Sequence, residues 1–182
     1  MNLASRLWVR RQFGVTLLEV LVTIVLTAFG LLGLAAVVSR SAAISVESNQ
    51  RARAAALLED MENRIRNNKA DAGSYALATV HGAKESKCAG TATRAELDLC
   101  EWNNLLVGTN DALTTDDGLK KLGFRGCITQ PAVGTPVYVI TVAWGAAVLA
   151  TPPADPCGAN LFGDDGFRRV IRTLVRVPAL GG

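Results

Sequence analysis

Proline is missing from the first 130 residues, and the first to appear is Pro131. Nothing in that stretch therefore forbids a long helix. Charge is almost missing from residues 15–38, where Glu19 is the one ionisable side chain in 24 residues. A helix of that length covers ~36 Å, enough to cross a ~30 Å hydrocarbon core. Acid is missing from residues 1–14, which hold Arg6, Arg10 and Arg11. Those three account for the whole formal charge of +3, so the remainder is neutral and nucleic acid is not the expected partner. Histidine is reduced to His81, and no CxxC spacing occurs, so no zinc or other metal site is expected. A Gly-rich phosphate loop, a Ser elbow and metal-ligand motifs are all absent, which leaves no catalytic constellation and no cofactor to assign.

What is present begins with the basic segment and the apolar run it precedes. Arg on the N-terminal side predicts that end in the cytoplasm and the remainder outside. All four Cys (Cys88, Cys100, Cys127, Cys157) fall in the external part, where disulfides persist. Gly30 and Gly33 interrupt the run; small residues let neighbouring membrane helices approach closely. A carboxylate just inside such a run costs on the order of 2.5–3.5 kcal/mol at mid-bilayer and less near the interface, so Glu19 needs a partner or a route to the surface. A secretory signal cut near Ala35-Ala36 is one alternative, although the run exceeds the usual ~7–15 residue apolar region. A plain single-span anchor is another; it explains the span but not Gly14 and Glu19 together.

Gly14-Val15-Thr16-Leu17-Leu18-Glu19 behind a basic leader resembles the class III signal of type IV pilins and pseudopilins. The resemblance implies a prepilin peptidase that cuts between Gly14 and Val15 and methylates Val15. It also implies Glu19 as the assembly carboxylate, pairing in a filament with the new amine of a neighbouring subunit. Phe is usual where this chain has Val15.

Beyond Val38 the helical signal continues. Glu47 and Arg51 are four apart in the favourable order. Ala54, Leu58, Met61 and Ile65 share one face, with Glu59, Asp60, Glu62, Arg64 and Arg66 on the rest. The helix is expected to end near Asn67-Asn68, making it ~50 residues and about 75–80 Å long. Thr93 and Glu96 form a capping-box pattern, and Ala95, Leu99, Trp102 and Leu106 follow at helical spacing, which predicts a short helix over 94–106. Residues 107–123 read as loop. Asp116-Asp117-Gly118 within it invites a calcium reading, but the full EF-hand pattern is missing and solvated turn residues are expected.

The last third reads as β. Strands are predicted over 124–129, 137–144 and 167–177, with turns at 130–136 and a long loop over 145–166. Arg168, Arg172 and Arg176 recur on one side of the last strand. A solvated face is the default, and an acidic partner surface or DNA capture the alternative. The expected fold is α+β, a type IV pilin fold: a long N-terminal α-helix, transmembrane then amphipathic, packed on a C-terminal antiparallel β-sheet head. The organisation is a leader (1–14), a membrane or filament-core helix (15–38), the amphipathic half of the stem (39–68) and a globular head (69–182). Four Cys allow three pairings. Cys88–Cys100, closing a segment around the short helix, and Cys127–Cys157, tying the long loop to the sheet, are expected, at ~2–4 kcal/mol each.

Gly30-Leu-Leu-Gly-Leu-Ala35, Leu57-Leu-Glu-Asp-Met-Glu-Asn-Arg-Ile-Arg-Asn67, Cys127, Tyr138-Val-Ile-Thr-Val-Ala-Trp144, Cys157 and Arg168-Arg169-Val170 are similar to stretches of the PilV group of minor pilins, the type IV pilus modification proteins. That resemblance implies a non-enzymatic fimbrial subunit of a tip complex that primes pilus assembly and presents an adhesin. Its partners would be other minor pilins, the major pilin, prepilin peptidase, the tip adhesin and, before assembly, the inner membrane around a single-pass anchor with a periplasmic head. A type II secretion minor pseudopilin shares the leader and anchor. A membrane-anchored periplasmic enzyme, using a Cys with His81 as nucleophile and base, is the reading from another class.

Overall fold

The computed structural model describes residue 14 and residues 16–90, 93–108, 123–132 and 134–178. Residues 1–13 of the leader, Val15 and the Asp116-Asp117-Gly118 segment lie outside the described residues. Helix α1 runs Leu17–Asn67, 51 residues without interruption. Thr16 starts it: its Oγ1 accepts the Glu19 N–H at 3.2 Å, satisfying one of the free amides of the first turn. Glu19 in the first turn and Arg64 and Arg66 in the last complement the helix dipole at both ends.

The chain divides into two compact units, Met1–Ala43 and Ile44–Gly182. In the first, α1 carries apolar side chains that no other described part of the unit covers, Leu17 being 91% exposed and Phe29 69%. Thr23 folds its hydroxyl back to the Val20 carbonyl at 2.8 Å, and Thr27 does the same to the Thr23 carbonyl. These polar groups are thereby satisfied within the helix, as a bilayer or a dry bundle requires. This part of α1 is long and apolar enough to cross a membrane.

The second unit is α+β. From Ile44 onward α1 continues to Asn67, followed by a kinked 3₁₀ segment Lys69–Tyr75 and helix α2 Arg94–Val107. Strands β1 Arg125–Thr129, β2 Val137–Gly145 and β3 Arg168–Arg176 make one antiparallel sheet in the order β1-β2-β3. Ile128 pairs with Ile140, and Ile140 with Thr173, so the middle strand is hydrogen-bonded on both sides. The core is where the stripe of α1 meets the sheet and α2: Ala54, Leu58, Met61 and Ile65 are buried with Trp102, Ile140, Val142 and Val175. The period of four, three and four in α1 is thus a packing face, as its spacing requires.

Helix α2 begins with both halves of the capping box made: Glu96 N–H to Thr93 Oγ1 at 3.2 Å, and Thr93 N–H to Glu96 Oε2 at 3.0 Å. It ends at Gly108 in the left-handed conformation. Gly126 in β1 lies under α2, where an added Cβ would stand 2.2 Å from the Trp102 ring.

Candidate assembly segment and head surface

At the N-terminus of α1 the described part of the candidate processing site is Gly14, Thr16 and the first turn. Gly14 is exposed and carries no side chain to obstruct an approaching enzyme. Glu19 is one turn into the helix and exposed. Its backbone N–H is held by Thr16, while its carboxylate makes no hydrogen bond or ion pair among the described residues. A carboxylate held on an apolar helix without a partner among the described residues is set up for a cation from elsewhere. The amine to which the leader motif assigns that part belongs to Val15, outside the described residues.

In the head, two polar assemblies fix the surface. The first joins the end of the stem to α2. Arg64 reaches three carboxylates: Asp60 Oδ2 at 2.8 Å, Asp98 Oδ1 at 3.1 Å and Glu101 Oε2 at 2.6 Å. Asp98 is almost fully buried and also accepts from Arg94 at 2.9 Å and from the Tyr75 hydroxyl. Burial works against the Arg64 charge, but hydrogen bonds to Glu101 and Asp60 outweigh it and hold its pKa above the ordinary arginine value. Burial, then the hydrogen bond to the Asp98 carboxylate, pushes the Tyr75 phenol up to about 12. Beside it, Trp102 donates its indole N–H to the Leu57 carbonyl of α1 at 2.9 Å, a direct tie between α2 and the stem.

The second assembly organises the loop before β3. Arg168 is 2% exposed. It holds Asp165 with two bonds of 2.7 Å and donates to the carbonyls of Asp155 (2.6 Å), Cys157 (2.9 Å) and Pro153 (3.0 Å). The hydrogen bond from Arg168 lowers the Asp165 pKa. This corrects the expected solvated row: Arg172 and Arg176 are exposed, but Arg168 is buried and structural. Strand parity alone assigns these three to one side, whereas the loop folds over the first of them. Glu47 is also turned away from its i, i+4 neighbour, standing 3.7 Å from the Arg169 Nε instead of pairing with Arg51.

Cys88 is bonded to Cys100 and Cys127 to Cys157, with Cα separations of 5.6 and 5.8 Å. No thiol remains for a nucleophile pair with His81. His81 instead forms a backbone bridge with Gly126, and burial lowers its pKa, holding the ring neutral. No group of three or more His, Cys, Asp or Glu suited to a metal ion occurs among the described residues.

Sequence reading missed the adjacent pair Asn103 and Asn104. Asn103 accepts the Gly82 N–H at 2.7 Å and donates to the Lys84 carbonyl at 2.8 Å. Asn104 accepts from Ser86 N–H and donates to the Ser86 carbonyl, both at 2.8 Å. These side chains take the place of a strand in ordering residues 82–86. Amide side chains at the end of a helix facing a Gly-Ala-Lys-Glu-Ser loop were the available signal, but no spacing rule links two segments twenty residues apart.

Residues 9–35 match the family model described as the prokaryotic N-terminal methylation motif. The match spans the end of the basic leader, Gly14, Glu19 and most of the apolar run. No curated protein and no solved structure matches the chain. The N-terminal segment is therefore a type IV pilin-like class III signal, of the kind that a prepilin peptidase processes, followed by an apolar helix suited to membrane anchoring.

Proposed function

We propose that this chain is a minor pilin of a type IV pilus, cleaved after Gly14, methylated on Val15, and built into a tip complex that primes assembly and presents an adhesin. The observation that carries the reading is the methylation-motif match, with an exposed Glu19, unpartnered among the described residues, one turn into an apolar helix. Before assembly the helix sits in the inner membrane with the head in the periplasm. On extraction, Glu19 pairs with the amine of a neighbouring Val15, so two charges are neutralised as the apolar segment enters the filament. The head selects neighbours; its disulfides and the Arg168 and Arg64 assemblies keep that surface fixed. The resemblance of residues 57–67 and 138–144 to the PilV group favours a pilus subunit over a type II secretion pseudopilin.

The test is recovery from sheared surface filaments. Wild-type chain is expected there in low copy number relative to the major pilin. Glu19→Ala is expected to be processed normally yet missing from the filament fraction. A chain absent from filaments but required for secretion of exoproteins would move the assignment to the pseudopilin class.

A further inference from the structure

In the Ile44–Gly182 unit, residues 44–51 of α1 and the adjoining ends of β2 and β3 leave an open cleft of ≈450 Å³. Its polar lining is Glu47, Ser48, Arg51 and Arg169, with Ile44 and Trp144 among its apolar walls. The charges in it are unequally satisfied: Arg169 already donates to the Gly166 carbonyl at 2.9 Å and the Arg168 carbonyl at 3.1 Å, which leaves Arg51 and Glu47 as the groups open to a ligand. Arg51 is exposed and makes no ion pair or hydrogen bond among the described residues. Glu47 and Arg169 stand 3.7 Å apart, beyond hydrogen-bond length. The indole N–H of Trp144 is buried without an acceptor, one of two such side-chain atoms among the described residues. Ile44 of its lining is 65% exposed, and the loop after β2 carries Val148 and Leu149, 58% and 59% exposed. Arg169 holds that loop at the cleft by donating to the Val148 carbonyl at 2.5 Å.

Two guanidiniums, one carboxylate, a hydroxyl and apolar walls describe the complement of an amphiphilic zwitterion. Chain connectivity says where one is found. Ile44 is four residues beyond Arg40, the first charge after the apolar run, and four residues reach at most ~14 Å in any conformation. The headgroup layers of a bilayer, about 5–8 Å on each side of the hydrocarbon, lie within that reach. We propose that this cleft binds the headgroup of an amine-bearing zwitterionic phospholipid, with phosphate on Arg51 and the ammonium on Glu47. This rests on the membrane-anchored reading of the apolar helix. A choline headgroup has no N–H to donate to Glu47, and a glycerol headgroup has no cation for it, so both are disfavoured. Binding keeps the unassembled head on the bilayer surface and is given up when the subunit leaves for the filament.

The test uses the full chain in two steps. Flotation with phosphatidylcholine vesicles asks first whether the chain associates with bilayers; failure there overturns the anchored reading and this inference with it. Native mass spectrometry of the detergent-solubilised chain then compares retention of phosphatidylethanolamine, phosphatidylcholine and phosphatidylglycerol. One phosphatidylethanolamine per chain is expected, preferred roughly tenfold, the value of one charge-assisted hydrogen bond. Glu47→Gln is expected to abolish that preference and leave phosphatidylglycerol retention unchanged; Arg51→Ala is expected to weaken both. Equal retention of all three lipids, or a preference that survives both substitutions, overturns the cleft assignment while leaving the anchor intact. Binding of free phosphoethanolamine as tight as that of the lipid would assign the site to a soluble phosphate ester instead.

Discussion

At the residue scale the head depends on a few side chains in positions that allow no substitute. Gly126 is one: the Trp102 ring occupies the space a Cβ would need. Gly126→Ala should destabilise the head by about 1–3 kcal/mol, read as a fall in the denaturation midpoint, because the ring is also fixed by its bond to Leu57 and cannot move aside freely. Tyr75 is another. Its folded pKa is raised to about 12, above the unfolded value of ~10. The associated stability is therefore fully present below pH ~10 and is lost as pH rises toward 12. A spectrophotometric titration should show one late tyrosine ionisation, missing in Tyr75→Phe and moved to lower pH in Asp98→Asn. Little of this could be read beforehand. Asp98 lies on a helix with Glu96 and Glu101 nearby, and nothing local marks it as the acid that is buried, because burial comes from Arg64 and Tyr75, many residues away in sequence.

At the element scale, legibility follows the range of the forces involved. The stem stripe, the capping box of α2 and the β-branched and aromatic run of β2 are set by neighbours within a few residues, and those elements lie where the pattern puts them. The loop before β3 is different. Its shape comes from Arg168 collecting three carbonyls and Asp165, contacts that parity along a strand does not encode. Asp165 has a lowered pKa, so its contribution is present above the ordinary carboxylate value of ~3.9 and is lost as pH falls through its folded value. Residues 153–167 should therefore loosen at low pH before the sheet does. Carboxyl and amide NMR shifts followed downward from pH 6 would show it, with Cys127–Cys157 still holding one point of the loop to β1. Simultaneous loss of loop and sheet signals would contradict a separate role for the Arg168 assembly.

At the scale of the whole molecule, the two compact units face different demands. Residues 17–38 present apolar side chains with no cover of their own, and the head buries a core of its own against the later turns of α1. The apolar helix was legible because a bilayer imposes length and composition on any span, and the signal because a peptidase reads local sequence. Which neighbours the head would select under the proposed function was not, since that is written in a surface whose shape depends on long-range contacts. Intact mass from cells with and without prepilin peptidase shows whether this chain is processed as a pilin. Loss of residues 1–14 and gain of one methyl group on Val15, both dependent on that enzyme, are expected. An uncleaved chain, or a cut near Ala36 whether or not the enzyme is present, would contradict the pilin reading and return the protein to a simple anchored or secreted domain.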